Sequence, residues 1–265
     1  VYGYKTVTAT GIISNSAGNI GFSILQNLTY VTPTSGTVGR VITVYGNGYN
    51  AGQLSLKFGD TPVIEIGNTT NDGTFAITFT INTQVYGTTT IQATDSKGKQ
   101  DTDVVKILPH ITMVSPTIGS VGTMVTIRGD GYANTELIRV ALGWTQTITA
   151  ITASDHGSFS TTFTVDIQPS GTASVVAYGT NDEANHQEHD LFRIRGEITL
   201  VSPTKGSVGT TITVYGNGYG ASETVFIDFG LKTPIVSPVC KHDGTFSTTF
   251  TIDTQVFGTK TLTVT

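Results

Sequence analysis

The sequence predicts an all-β protein built from tandem β-sandwich units, because one motif recurs at a nearly fixed period and each recurrence shows strand patterning. The phrase "ITVYGNGY" stands at 42–49 and again at 212–219, and the variant "VTIRGDGY" stands at 125–132. The frame P-T-x-G-(T/S)-V-G opens each repeat, with 83 residues from Pro33 to Pro116 and 87 from Pro116 to Pro203. Self-similarity at such a period predicts an array of like domains.

The repeat frame divides the chain into four segments. We expect complete repeats at 30–112 and 113–199, and at 200–265 an incomplete third repeat whose last strand is missing. Residues 1–29 are expected to be the C-terminal strands of a preceding repeat, because "VYGYKTVTAT" opens the chain and "VFGTKTLTVT" closes it. The chain thus begins and ends at the same position of the repeat. This predicts either a window of a longer array or subunits that complete each other by strand addition.

Alternation of apolar and polar residues predicts the strands and the core of each repeat. Phe75, Ile77, Phe79 and Ile81 alternate with polar or small residues, whereas no stretch shows helical periodicity with caps. The residues expected to be buried are Val44, Phe79, Val140, Phe163, Val214 and Phe250. Those expected to be exposed are Thr43, Arg128 and Thr213. About seven strands in roughly 85 residues is typical of an immunoglobulin-like β-sandwich.

A family resemblance supports this fold class. The stretch "SPTKGSVGTTITVYGNGYGASETVFIDFG" resembles the IPT/TIG class of immunoglobulin-like domains, and the later "DGTFSTTFTI" resembles variants common in large bacterial and archaeal surface proteins. The resemblance covers all three repeats. It implies tandem immunoglobulin-like sandwiches that serve as stalks, spacers, wall lattices or enzyme appendages. The middle repeat departs from the pattern at "GDGY" and in a longer loop before its last strand.

The G-x-G-Y phrase is interpreted as a structural turn. Its glycines are expected to let the chain leave the strand through a tight turn with positive φ. Tyr49, Tyr132 and Tyr219 are expected to cover the end of the core, with the hydroxyl reaching solvent or backbone. A phosphate-binding loop would need a following helix and a Lys-Ser/Thr pair, and neither pattern follows.

One loop of the middle repeat is a candidate metal site. The stretch "NDEANHQEHD" at 181–190 contains carboxylates and imidazoles, which bind divalent ions. Its candidate ligands are Asp182, Glu183, His186, His189 and Asp190. The spacing matches neither a closed zinc frame nor a calcium loop, so a solvated polar loop is the simpler interpretation. No cofactor is expected, and calcium is the ion we would expect if one binds.

Other single residues carry weaker signals. Asn27 in "NLT" and Asn68 in "NTT" are N-glycosylation candidates. Cys240 is the chain's single cysteine and lies in the apolar stretch "PIVSPVC", which predicts burial rather than reactivity. His110 and His156 are isolated, and no Ser-His-Asp order is evident, so we expect no catalytic site.

Composition limits the function further. The net charge of −5 with no basic cluster argues against a nucleic-acid surface, and no apolar run is long enough for a membrane helix. We expect a structural segment of an extracellular or cell-surface protein, such as a surface layer or filament subunit. The alternative is an adhesin stalk or a carbohydrate-binding accessory module. Expected partners are copies of itself or further repeats of the same polypeptide, and cell-wall glycans.

Short connections between repeats add a mechanical expectation. The segments "ILPHITMVSPT" and "IRGEITLVSPT" leave few residues between the last strand of one repeat and the first strand of the next. Short connections restrict rotation. The sequence therefore predicts a semi-rigid rod rather than freely rotating units.

Overall fold

The computed structural model describes residues 3–179 and 187–265, and within those ranges the chain forms strands and turns without a helix. The described residues therefore include no helix long and apolar enough to cross a membrane. The chain divides into two compact units. The first comprises the chain through His110 with Asp130–Glu136 and Ala153–Ser158, and the second comprises Ile111–Gly129, Leu137–Thr152 and Phe159–Thr265.

The first unit begins with a β-hairpin. Strands β1 (Gly3–Thr10) and β2 (Ala17–Ile24) pair antiparallel and form a two-stranded sheet of their own. Val7 lies opposite Ile20, and both side chains are exposed, as is Phe22. The assignment of residues 1–29 to the end of a preceding repeat stays a prediction.

The next eight strands of the first unit form two sheets. They are β3 (Asn27–Thr32), β4 (Ser35–Gly36), β5 (Val41–Asn47), β6 (Gly52–Phe58), β7 (Thr61–Thr69), β8 (Phe75–Thr80), β9 (Gly87–Asp95) and β10 (Gln100–Ile107). One sheet has the order β3-β5-β8, and the other has the order β4-β10-β9-β6-β7. The pairing of β4 with β10 is parallel, and the others are antiparallel.

The core of this repeat lies between the two sheets. Val44 and Phe79 from the three-stranded sheet share one buried cluster with Leu56 and Ile91 from the five-stranded sheet. Strict alternation along β8 turns every second side chain into this cluster, as the period of a strand requires. Each such large apolar side chain contributes about 1.5–3 kcal/mol on burial.

The second unit contains a sandwich of the same design. Its strands are β11 (His110–Ser115), β12 (Ile118–Gly119), β13 (Met124–Asp130), β14 (Leu137–Leu142), β15 (Thr145–Thr152), β16 (Phe159–Thr164), β17 (Gly171–Gly179) and β18 (Gln187–Ile194). The sheets have the orders β11-β13-β16 and β12-β18-β17-β14-β15, which repeat the arrangement of the first sandwich strand for strand.

A third set of strands completes the second unit. They are β19 (Glu197–Ser202), β20 (Thr211–Asn217), β21 (Ile227–Phe229), β22 (Lys232–Val236), β23 (Phe246–Thr251) and β24 (Leu262–Val264). The sheets have the orders β19-β20-β23 and β22-β21-β24. Residues 200–265 contain no counterpart of β10 or β18. A cavity of about 940 Å³ in this part of the chain is lined by Val201, Phe229 and Leu262 among others.

These observations confirm the predicted all-β fold of tandem immunoglobulin-like β-sandwiches. The six residues expected in the cores are all buried, namely Val44, Phe79, Val140, Phe163, Val214 and Phe250. Arg128 is exposed as predicted, whereas Thr43 and Thr213 are half-buried rather than exposed. The peptide bonds before Pro33, Pro116 and Pro203 are cis in all three repeats.

Candidate functional site: the turns that join successive repeats

The first glycine of the G-x-G-Y turn makes room for a phenylalanine. Gly46 ends the buried part of β5, and a Cβ placed there would lie under 3.0 Å from the ring of Phe75. Gly216 has the same relation to Phe246. Neither glycine has a positive φ, so the expectation that both glycines of the phrase serve the turn is wrong for these two. Their role is close packing.

The second glycine of the phrase forms the turn itself. Gly48, Gly131 and Gly218 have φ values of 76°, 78° and 67°, which residues other than glycine rarely adopt. A Cβ at Gly131 would also collide with the backbone carbonyl of Leu108, and one at Gly218 with that of Arg195. The glycine therefore lets the turn lie directly against the segment that leads into its own repeat.

The tyrosine of the phrase lies under the turn, and its ring belongs to the core. Tyr49 and Tyr132 are almost fully buried, and Tyr49 packs edge-on against Phe75 with ring centroids 5.2 Å apart. The hydroxyl of Tyr49 is buried without a hydrogen-bond partner among the described residues, so it does not reach solvent as expected. Burial raises the pKa of Tyr49, and nearby Asp101 and Asp95 raise it further. Burial also raises the pKa of Tyr219 to about 12.

The backbone of this tyrosine joins one repeat to the next. In the first unit, the N–H of Tyr86 donates to the carbonyl of Tyr132, with an N···O distance of 2.9 Å. In the second unit, the N–H of Ser170 donates to the carbonyl of Tyr219, also at 2.9 Å. Tyr86 and Ser170 occupy the same position in their repeats, directly before the glycine that opens β9 or β17. We call this contact the joint.

A second turn that contains a glycine allows the two backbones to approach closely at the joint. Gly157 and Gly244 have φ values of 74° and 77°, and their carbonyls accept the N–H of Tyr132 and Tyr219. A Cβ at Gly157 would lie 3.1 Å from the Cα of Val85, and one at Gly244 would lie 2.7 Å from the Cα of Pro169. The joint is therefore a backbone-to-backbone contact that side chains at these two positions would crowd.

A glutamine two residues before the joint's donor position, not predicted from the sequence, is fully buried in the middle repeat (Gln168) and half-buried in the first (Gln84). Gln168 donates from its Nε2 to the carbonyl of Leu142 (3.0 Å), while its Oε1 accepts the N–H of Trp144 (3.0 Å). Its side chain also donates to Asp166, and Gln84 and Gln255 donate likewise to Asn82 and Asp253. The recurrence of (N/D)-x-Q at one phase of all three repeats was the signal available in the sequence.

The glutamine lies against a two-residue turn that we call the tip turn. It consists of a glycine with left-handed φ and a variable residue, as in Gly59-Asp60, Gly143-Trp144 and Gly230-Leu231. A Cβ on each glycine would collide with the amide oxygen of Gln84, Gln168 or Gln255. In the second unit the tip turn contacts the next repeat, because Trp144 stacks on His242 with ring centroids 5.1 Å apart and an interplanar angle of 18°.

The metal site predicted in the loop 181–190 is only partly described. Asp182, Glu183 and His186 lie outside the described residues. His189 and Asp190 follow each other on β18, so their side chains point to opposite faces of the sheet. Asp190 accepts the backbone N–H of Leu191 at 2.7 Å. Among the side chains that the structure describes, no three of His, Cys, Asp or Glu are grouped to hold an ion.

The remaining candidates have ordinary surroundings. Asn27 on β3 and Asn68 on β7 are exposed, and their glycosylation stays a prediction. Cys240 is buried, as expected, and burial raises the pKa of its thiol, with Glu223 and Asp243 adding to the effect. A raised pKa disfavours the reactive thiolate. The joints are therefore the feature that recurs between repeats in the described part of the chain.

Comparison with known proteins finds structural likeness without a family. No protein-family model and no curated protein matches the chain. Among solved structures, a biofilm-associated protein BSP domain is 14% identical with a TM-score of 0.25, covering 64% of this chain and 29% of its own. The D0–D1 domain of intimin is 13% identical with a TM-score of 0.27, covering 64% and 99%.

Invasin, a bacterial integrin-binding protein, is 15% identical with a TM-score of 0.31, and the match covers 90% of this chain and 56% of invasin. The chain thus spans less than two thirds of the BSP-domain and invasin structures. At these identities and TM-scores the likeness does not extend to function.

Proposed function

We propose that this chain is a structural, non-catalytic segment of an extracellular or cell-surface repeat protein, built of IPT/TIG-type domains and serving in a surface layer or extracellular filament. The observation that carries the proposal is the joint. The same backbone hydrogen bond, the same crowded glycine and the same tyrosine recur at both junctions. A contact made by backbone atoms is independent of which side chain each repeat carries, so it suits an array of varied repeats.

The surface composition suits the same role. Charged residues make up only 12% of the chain, and threonines line the outward positions of strands such as β8 and β23. A surface of this kind packs against neighbours without strong charge repulsion. The proposed partners are further repeats of the same polypeptide, other copies of the chain, and cell-wall glycans.

The proposal predicts where the protein is found. An antibody raised against the 265-residue chain should label intact, unpermeabilised cells of the organism that produces it, with the label spread over the surface or along filaments in electron micrographs. Pre-incubation of the antibody with the purified chain should abolish the label and is the control. Labelling that requires permeabilisation would contradict the proposal.

A second candidate is an adhesin stalk or carbohydrate-binding accessory module. A binding role predicts an exposed aromatic residue in one repeat alone. Trp144 meets this description, because it is the chain's single tryptophan, is 55% exposed and is replaced by Asp60 and Leu231 in the other repeats.

A further inference from the structure

A small neutral cavity lies beside Trp144 in the second unit. Its volume is about 260 Å³, just below the range of about 300–1,000 Å³ typical of sites for drug-sized ligands. Its lining includes Trp144, Gln168, Pro169, Ser170, Thr172 and Ser174, and no lining residue carries a charge. The cavity therefore has room for one small ring, with an aromatic side chain and hydroxyl groups around it.

The indole of Trp144 is held in place before any ligand arrives. Its backbone N–H is bound by the amide oxygen of Gln168, a side chain that is itself only 3% exposed. The imidazole of His242 stacks on the indole and covers one face of it. Trp144 is 55% exposed and lines the cavity, so a ligand there can pack on the indole that the stack on His242 helps to orient.

The same scaffold carries a different residue in the other two repeats. Gln84 and Gln255 lie against the glycine of tip turns of the same form, but the variable residue there is Asp60 or Leu231. A leucine has no flat π-face, and a carboxylate favours water over an apolar surface. Only the middle repeat thus combines the glutamine-supported turn with an aromatic ring.

We propose that this cavity binds a single neutral sugar ring. One apolar face of the pyranose packs on the indole of Trp144, and its hydroxyls exchange hydrogen bonds with Ser170, Thr172 and Ser174, whose hydroxyls both donate and accept. The absence of charge in the lining favours a neutral sugar over an acidic one. The inference rests on the second candidate function, and the surface-labelling experiment above tests the structural role independently.

The single tryptophan makes the site directly observable. Intrinsic fluorescence of the full chain, excited selectively for tryptophan, reports on Trp144 alone. We would titrate it with the methyl glycosides of glucose, galactose, mannose, N-acetylglucosamine and N-acetylgalactosamine, and with glucuronic acid and N-acetylneuraminic acid as charged counterparts. The expected result is a saturable change with at least one neutral glycoside in the millimolar range. Free tryptophan under the same conditions is the control and should show no saturation.

Two variants locate the binding. Ser174→Ala retains the fluorophore and should weaken binding about three- to tenfold, the effect of one lost hydrogen bond, whereas Ser247→Ala on the exposed face of β23 should leave it unchanged. Trp144→Leu, which copies the residue of the third repeat, should abolish binding measured by sugar-observed NMR. No saturable response to any neutral glycoside, tighter binding of an acidic sugar, or undiminished binding by Trp144→Leu would each overturn the proposal.

Discussion

Asp130 is the residue that distinguishes the middle G-x-G-Y turn from the other two, where Asn47 and Asn217 take its place. Burial raises the pKa of its carboxyl above the ordinary 3.8, and the charge of His110 opposes this only in part. The folded state therefore favours the protonated acid. The protonated Asp130 therefore contributes to the free energy of unfolding below pH 3.8, and this contribution is lost as the pH rises through the raised pKa.

Asp130→Asn should accordingly raise the free energy of unfolding at pH 7 and change it less at pH 4. Asparagine removes the charge and reproduces the residue of the first and third repeats. Chemical denaturation of both proteins at the two pH values measures the effect. An equal or larger gain at pH 4 would contradict the assigned cause.

Phe163 tests the core at the same scale. Its ring is 4% exposed and pairs across the sheet with Val125, so Phe163→Ala should cost about 3–5 kcal/mol of unfolding free energy. The matched control is Phe257→Ala, because Phe257 is fully exposed. Equal effects of the two substitutions in chemical denaturation would show that the core is wrongly assigned.

At the scale of elements, the joint is the feature on which the proposed function depends. Its hydrogen bond comes from the loop before β9 or β17 and ends on a turn of the following repeat. The donor lies in nearly identical surroundings elsewhere, since "TQVYGT" around Tyr86 returns as "TQVFGT" around Phe257. This coincidence supplies a matched pair of substitutions.

Tyr86→Pro removes the N–H that binds the carbonyl of Tyr132, whereas Phe257→Pro makes the same change in a loop with no such bond described. We expect Tyr86→Pro to lower the free energy of unfolding by about 0.5–1.5 kcal/mol more than the control, the net worth of one hydrogen bond. Denaturant titration gives both values. If Tyr86→Pro lowered the free energy of unfolding less than Phe257→Pro, the joint would not contribute to stability as proposed.

The elements also show what the sequence could and could not predict. Alternation alone placed Val44, Phe163 and Val214 in the cores, because a strand's period of two is a local property. The room that Gly46 leaves for Phe75, and the bond between Gln168 and Leu142, depend on segments brought together only by the fold. Neither the packing of a glycine nor the burial of a glutamine leaves a pattern in the neighbouring sequence. The glutamine could have been found only from its recurrence in every repeat.

At the scale of the whole molecule, we expect the two successive repeats of the second unit to be held in one orientation. Within the second unit, the bond from Ser170 to Tyr219, the close approach of Gly244 to Pro169 and the stack of Trp144 on His242 act together. Three contacts at separate points restrict rotation about a connection far more than one would. A freely rotating connection would instead break all three for most of the time.

The distance between two labels in the second unit tests this claim most directly. Ser160 and Ser247 hold the same exposed position on β16 and β23, so Ser160→Cys and Ser247→Cys, combined with Cys240→Ala, allow spin labels to be placed on consecutive repeats. Double electron–electron resonance should give one narrow distance distribution, as narrow as that of two labels within a single repeat. A broad distribution from the labelled chain, with its fold shown intact by circular dichroism, would contradict the account.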